Sequence, residues 1–145
     1  MDPETLFTLC SILVLPAWAL LIFAPRWEWT ERLIGSCAIS LFLSGLYLCL
    51  ALSRLGAAKG GFGSLAQVAL LFGDPWILLA GWVHYLAFDL FIGSWEARDA
   101  RRLSIPRHFL IPCLILTFLL GPIGFLAYVA LRSILKKGFL LGADL

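Results

Sequence analysis

From Thr5 to Pro25 the chain reads TLFTLCSILVLPAWALLIFAP, a run without a charged side chain. A helix crosses the hydrocarbon core of a bilayer with roughly 20 apolar residues. The run therefore predicts a membrane-spanning helix, because only helices and closed barrels satisfy every backbone hydrogen bond in lipid. Its apolar residues are continuous rather than alternating, which favours a helix over a barrel strand.

Three further windows have the same character. They run from Leu33 to Ser53, from Pro75 to Trp95 and from Phe109 to Leu131, and Asp89 is their only acidic or basic residue apart from histidine. Tryptophans such as Trp76 and Trp95 lie at window ends, as is typical of the membrane interface. We therefore predict an all-α fold, a four-helix transmembrane bundle forming a single domain over residues 1–145, with spans at about 5–25, 33–53, 75–95 and 109–131.

The composition agrees with a membrane protein. Of the 145 residues, 61% are hydrophobic and 14% are charged, whereas soluble domains contain about 25% charged residues. The net charge of +2 is too small to suggest nucleic-acid binding. The cysteines all lie in apolar runs, without a paired spacing that would indicate a disulfide framework or a zinc motif. They are Cys10, Cys37, Cys49 and Cys113.

The N-terminus lacks the basic region of a signal peptide, so we expect the first apolar segment to be retained. Between the second and third windows, a glycine-rich stretch is followed by an apolar piece from Ser64 to Phe72. This piece is too short to span, which predicts an interfacial or re-entrant helix. Two interpretations remain open: a connector resting on lipid, or a lid over an intramembrane cavity. Asp74 and Pro75 have the character of a helix N-cap and a first helical residue.

The orientation is undecided if four spans are counted. Five basic residues then lie on the side of the N-terminus, and six lie on the other side, which the positive-inside rule does not separate. The first group is Arg54, Lys59, Arg132, Lys136 and Lys137, and the second is Arg26, Arg32, Arg98, Arg101, Arg102 and Arg107.

The third window carries the polar residues that point to function. With the span centred near Tyr85, His84 lies near the midplane and Asp89 about 7 Å further along the helix. Ionisable groups at that depth are costly unless they are paired, protonated or facing water. Tyr85, Asp89 and Glu96 share one helix face, whereas His84 lies about 140° away from Asp89. Partners from other helices, or a kink at Gly93, are needed to bring these two together.

Three interpretations of these residues are open. In the structural one, His84 bonds to a neighbouring helix and Asp89 pairs with an arginine such as Arg107. In the acid–base one, apolar surroundings keep Asp89 protonated and His84 acts as a base or proton relay. In the third, His84, Asp89, Asp99 and His108 bind a metal, for which zinc or iron would suit the residue types. No redox nucleotide is expected.

The fourth window contains Gly121-Pro122-Ile-Gly124, which predicts a kink, because proline removes a helical hydrogen bond. Aromatic residues near the proposed site would suit a long apolar ligand, although aromatic core packing explains them as well. The candidate catalytic residues are His84, Asp89, Asp99 and His108. The candidate substrate contacts are Tyr85, Phe88, Glu96 and Arg107.

From Trp82 to Arg132 the chain resembles the abscisic-acid-deficient-four-like, or neoxanthin synthase-like, family of integral membrane proteins. The matching elements are Trp82-x-His84, Asp89-Leu90, Asp99-Ala100, Arg107-His108 and Gly121-Pro122-x-Gly124. The four-window layout of the whole chain is similar too.

The resemblance implies carotenoid chemistry within the membrane. It suggests an isomerase that opens an epoxide or shifts a double bond, without net redox change, on a carotenoid or related isoprenoid lipid. A non-catalytic carotenoid- or lipid-binding protein and a structural subunit of a membrane complex are the alternatives. The expected partners are membrane lipid and a hydrophobic small molecule, and no nucleic acid is expected. A homo-oligomer, with a second copy of the chain as partner, is a further candidate. The expected location is a bacterial inner membrane, since the plastid-targeting extension of plant members is absent.

Overall fold

The computed structural model describes residues 2–25, 27–54 and 56–136. Within these residues every regular element is a helix, as the sequence predicted. The elements are α1 (Pro3–Phe23), α2 (Glu28–Thr30), which continues into a π-helical segment (Glu31–Gly35), α3 (Ala38–Arg54), α4 (Leu65–Leu71), α5 (Pro75–Arg102), α6 (Arg107–Leu120) and α7 (Pro122–Lys136).

Three helical segments in the described chain are long and apolar enough to cross a membrane. They are Pro3–Phe23, Glu28–Arg54 and Pro75–Arg102, and they correspond to the first three predicted windows. The second is interrupted at Cys37, whose backbone φ is +60°. The apolar piece between the second and third windows forms α4, Leu65–Leu71. Its interfacial position stays a prediction.

Short polar residues fix where α1 and α5 begin. The backbone N–H of Thr5 donates to Oδ2 of Asp2 at 3.1 Å, and its hydroxyl donates to Oδ1 at 2.6 Å. These hydrogen bonds hold the pKa of the Asp2 carboxyl below its usual value. Oδ1 of Asp74 accepts from the N–H of Trp76 at 2.8 Å, so the predicted N-cap of α5 is confirmed.

The fourth predicted window is divided at Gly121, where the chain turns back. Gly121 has φ +44° and ψ −97°, outside the helical region. In a continuous helix, positions seven residues apart are separated by about 10 Å. A Cβ added to Gly124 would instead lie 2.0 Å from the backbone nitrogen of Thr117. The residues therefore form two arms of a helical hairpin rather than the kinked helix predicted from Pro122.

Contacts with α5 give the directions of the two arms. Asp89 lies against Gly121, and Glu96 bonds to Thr117, so α6 runs antiparallel to α5. On α7 the contacts follow the opposite order: residues later in α5 contact residues later in α7.

Trp95 packs on Phe125 with 5.9 Å between ring centroids, and Asp99 bonds to Arg132. Helix α7 therefore returns in the direction of α5. The predicted count of four spans is not confirmed, because each arm of the hairpin is shorter than a span.

The described chain forms two compact units. The first contains residues 2–15 and 39–88, and the second contains 16–38 and 89–136. Neither unit is a continuous stretch, since α1 and α5 each contribute residues to both. The predicted single domain stays a prediction.

Candidate functional site

The first unit contains a large cavity with a volume of about 1220 Å³. This exceeds the ~300–1,000 Å³ of ordinary small-molecule pockets. Its walls come from α1, α3, the glycine-rich segment, the end of α4 and the first part of α5. Most of the lining is apolar, and its aromatic members are Phe7, Tyr47, Phe62, Phe72, Trp82 and Tyr85. The cavity therefore suits an apolar ligand with an extended or ringed body.

His84 supplies an imidazole to this apolar wall. Its ring stacks on Phe88 with centroids 4.7 Å apart and planes 10° apart. The ring of Tyr47 meets it edge-on, at a centroid distance of 5.4 Å. The two aromatic contacts hold the imidazole in one orientation while its side chain stays exposed within the described chain. A base that is oriented but accessible could reach a bound ligand.

Packing around Trp82 fixes the neighbouring part of the wall. The indole N–H donates to Oγ of Ser11 at 3.0 Å, and the ring packs on Phe7 at 5.2 Å. Tyr85, a predicted substrate contact, also stacks on Trp82 with centroids 5.2 Å apart. The side chains of α5 that line the cavity are thus tied to α1.

The end of α4 closes part of the cavity. Leu71 and Phe72 both line it, and the ring of Phe72 lies over Gly81. A Cβ on Gly81 would approach Cε1 of Phe72 to 2.7 Å, so the absent side chain makes room for this ring. Of the two interpretations given to this segment, this contact favours the lid.

Charged groups occur at two points of the cavity lining. Glu4 lies in the first turn of α1, and Arg54 is the last residue of α3. The guanidinium of Arg54 lies 5.3 Å from the ring centroid of Trp76, in a cation–π contact. A ligand with a polar end group would find partners at these positions.

The second unit contains a buried ionic network centred on Asp99. Its Oδ2 accepts from the Tyr128 hydroxyl at 2.7 Å and from Nε of Arg132 at 2.8 Å, while Oδ1 accepts from Arg102 at 3.0 Å. Asp99 is 5% exposed, Tyr128 0% and Arg132 2%. A carboxylate that already has three donors is suited to hold helices together rather than to act on a ligand.

Glu96 forms a second buried contact one turn earlier on α5. The hydroxyl of Thr117 lies 2.9 Å from its Oε1 and 3.1 Å from its Oε2, and both residues are 0% exposed. Glu96 was predicted to contact the substrate, but here it bonds to α6. Nothing in the spacing of the sequence indicates Thr117 as its partner.

The remaining candidates also lie in the second unit. Asp89 is half-buried, and its Oδ1 would be 2.8 Å from a Cβ on Gly121. Nη2 of Arg107 donates to the carbonyl oxygens of Ile22 and Phe23, at 3.1 Å each, and so caps the end of α1. The exposed His108 rests on its neighbour Phe109.

The proposed metal ligands do not form a cluster in the described residues. No group of three or more His, Cys, Asp or Glu side chains there is arranged to hold a metal ion. His84 belongs to the first unit, whereas Asp89, Asp99 and His108 belong to the second. Asp99 is also occupied by the donors of Tyr128 and Arg132. The donor set therefore does not fit a resident metal.

The similarity of this chain to known proteins assigns its family. The family model described as ABA DEFICIENT 4-like matches residues 5–128, which is most of the chain. The chain belongs to the ABA DEFICIENT 4-like family. Both units contribute to the matched region, including His84, Asp89 and Asp99. The sequence resemblance to this family is thereby confirmed.

A curated member of the ABA DEFICIENT 4-like family is similar to this chain over most of its length. It is the chloroplastic protein ABA DEFICIENT 4 of Arabidopsis thaliana, 25% identical over 145 residues. The match covers 94% of this chain and 64% of the relative. No solved structure matches. The relative is named as chloroplastic, and no comparison supports the prediction of a bacterial inner membrane.

Proposed function

We propose that this chain is an intramembrane enzyme that converts a carotenoid or a related isoprenoid lipid by isomerisation. The observation that carries the proposal is the apolar, aromatic-lined cavity of about 1220 Å³ with an oriented imidazole on its wall. Membership of the ABA DEFICIENT 4-like family supports the substrate class. The helices that form the cavity are apolar enough to lie in lipid, where such a substrate dissolves.

The reaction opens an epoxide, or shifts a double bond, without net oxidation. Opening the epoxide breaks one C–O bond as its oxygen gains a proton, and a neighbouring carbon loses a proton as a new double bond forms. The step therefore needs one acid and one base. His84 is the base in this proposal, because it is the imidazole on the cavity wall. Tyr47 and Tyr85 also line this cavity, and a phenol is a group that can supply the acid.

Asp89 is the other acid proposed from the sequence, and its role is tested separately because it belongs to the second unit. The Asp89→Asn change preserves shape while removing acidity. Loss of conversion with normal protein yield and normal pigment binding would support a catalytic role for Asp89. Full conversion would instead assign the role of the acid to a tyrosine. Asp99 we assign to structure, since its oxygens are already bonded to Tyr128 and Arg132.

The His84→Gln change is expected to lower the rate of pigment conversion by about 10²–10⁴-fold, the usual contribution of a general base. Pigment binding should change little, because the aromatic walls remain. The measurement is pigment analysis of membranes from strains that make different carotenoids, with equal protein levels. Leu48→Ala, an exposed position on α3 outside the cavity lining, is the control. Equal conversion by the His84→Gln variant and the wild type would contradict the assignment.

Filling the cavity should weaken substrate binding. Ala51 lines the cavity, and the Ala51→Phe change is expected to raise KM about tenfold, because the added ring takes space from the ligand. Ala66 is exposed on α4 and outside the lining, so Ala66→Phe is the matched control. Identical KM values for the two variants would place the substrate elsewhere.

A non-catalytic carotenoid- or lipid-binding protein is the second candidate, and the same cavity favours it. Pigment that co-purifies and emerges chemically unchanged from every strain would support binding alone. A structural subunit would neither bind pigment nor respond to the Ala51→Phe change.

A further inference from the structure

The hairpin of α6 and α7 has two short arms. Its arms contain 14 and 15 residues, which at 1.5 Å per residue extend about 21 and 22 Å. The hydrocarbon core is about 30 Å thick, so neither arm crosses it alone. Both arms meet α5 near its C-terminal end: α6 begins five residues after α5 ends, and Arg132 of α7 bonds to Asp99.

Polar contacts along α5 hold the hairpin in this arrangement. Thr117 on the first arm bonds to Glu96, and Tyr128 on the second bonds to Asp99. The turn at Gly121 lies against Asp89, ten residues before Asp99 and so about 15 Å deeper along the helix. If α5 crosses the membrane, the turn lies inside the hydrocarbon region. Non-helical backbone at membrane depth is tolerated where protein covers it, and Gly121 at the turn is buried.

This geometry changes the side of the membrane at which α7 ends, compared with a bundle of four spans. With four spans the chain would return to the side of its N-terminus. With three spans and a hairpin, it ends on the side where α5 ends. The basic residues then divide very unequally. Among the residues that the structure describes, Arg54 and Lys59 remain on the N-terminal side, and seven basic residues lie opposite: Arg32, Arg98, Arg101, Arg102, Arg107, Arg132 and Lys136. Arg26 and Lys137 lie outside the described residues.

We propose that α6 and α7 form a re-entrant hairpin, that the chain crosses the membrane three times, and that its basic side faces the anionic lipid surface of the cytoplasmic leaflet. Basic loops are retained on the cytoplasmic side during insertion. A division of seven to two among the described basic residues gives a clear direction, whereas the near-equal division for four spans gave none. Lys and Arg beside a span are attracted to anionic headgroups on that side. The N-terminus and the glycine-rich segment that follows Arg54 are then on the opposite side.

The test follows three positions in the full-length chain, in a bacterial expression host. Cys10, Cys49 and Cys113 are replaced by Ala, and Cys37 by Gly, which suits its positive φ. Single cysteines are then introduced by Glu28→Cys, at the first residue of the second span, and by Lys59→Cys, beyond its last residue; both positions are exposed. A membrane-impermeant maleimide is applied to intact and to permeabilised cells. The third position is a reporter fused after the last residue, in two versions, one fluorescent only in the cytoplasm and one active only outside it.

The expected result has three parts. The Lys59→Cys variant is labelled in intact cells, the Glu28→Cys variant only after permeabilisation, and the fused fluorescent reporter is bright while the exported one is inactive. An active exported reporter with the same labelling would put the chain end on the side of Lys59 and would overturn the hairpin in favour of four spans. Labelling of Glu28→Cys instead of Lys59→Cys in intact cells would overturn the orientation. Retained pigment binding by the cysteine-substituted chain verifies folding, or, if the proposed function fails, a monodisperse elution profile in detergent does so.

Discussion

The Gly124→Ala change is expected to destabilise the protein by about 3 kcal/mol or more, because overpacking against backbone has no inexpensive relief. The added Cβ would lie 2.0 Å from the backbone nitrogen of Thr117 and 2.4 Å from its Cα. A flexible side chain could move away, but the backbone of α6 cannot do so without opening the hairpin. The free energy of unfolding in mixed micelles, from a denaturant titration, is the measurement.

Gly45 provides the matched control for this change. It is also a glycine within an apolar helix, and a Cβ there would meet nothing within 4 Å. Because Ala is a better helix former than Gly by up to about 1 kcal/mol, Gly45→Ala should be neutral or slightly stabilising. If the two variants lost equal stability, the close approach of Gly124 to Thr117 would not be a feature of the folded protein.

The Asp99→Ala change is expected to lower the free energy of unfolding by about 3–5 kcal/mol, since it removes a carboxylate from a buried guanidinium. Arg132 is 2% exposed and would lose the carboxylate that lies 2.8 Å from its Nε. The Tyr128 hydroxyl would lose its acceptor at the same time. Both losses fall on α7, so we expect the second arm of the hairpin to become protease-sensitive before the rest of the chain unfolds.

The exposed ion pair of Glu28 and Arg32 provides the control for the Asp99→Ala change. Glu28 and Arg32 are 69% and 62% exposed in their side chains, and Glu28→Ala should cost no more than about 1 kcal/mol. A double-mutant cycle of Asp99→Asn with Tyr128→Phe isolates their hydrogen bond. Additive losses in that cycle would show that this one hydrogen bond contributes little to stability. A small loss in Asp99→Ala would show the same for the whole network.

Hydropathy predicted the three helices of the described chain that are long and apolar enough to cross a membrane, but not the form of the fourth window. The windows beginning at Thr5 and Pro75 correspond closely to α1 and α5, because lipid imposes both helix and length on an uncharged run. The N-cap at Asp74 was predictable for a local reason, since its carboxylate reaches the N–H of Trp76 two residues later. Such features depend on neighbours in sequence and therefore show in it.

The turn at Gly121 was not predictable from the same information. The window from Phe109 to Leu131 is apolar along its whole length, so its hydropathy is the same for a straight helix and for two arms. Proline with glycine permits either a kink or a reversal. The choice is made by contacts between residues 21 to 33 positions apart, such as Thr117 with Glu96 and Arg132 with Asp99.

The candidate site was predictable only in part. An imidazole is energetically costly in an apolar helix, which is why the sequence indicates His84 as a candidate. The residue does lie on the cavity wall. Its aromatic neighbour Tyr47 comes from α3, and nothing in the sequence relates the two. Glu96 and Asp99 looked like members of the same site, because charge alone does not reveal whether a carboxylate faces a ligand or an arginine.

The buried network also constrains the order of events while the chain is being made. Glu96 and Asp99 emerge from the ribosome before Thr117, Tyr128 and Arg132, the partners that other helices supply. A nascent chain that stops short of Arg132 carries these two acidic side chains on α5 before the hydroxyl and guanidinium groups of α6 and α7 are present. We therefore expect the second unit to complete its buried polar contacts only when synthesis has reached Arg132, 33 residues beyond Asp99.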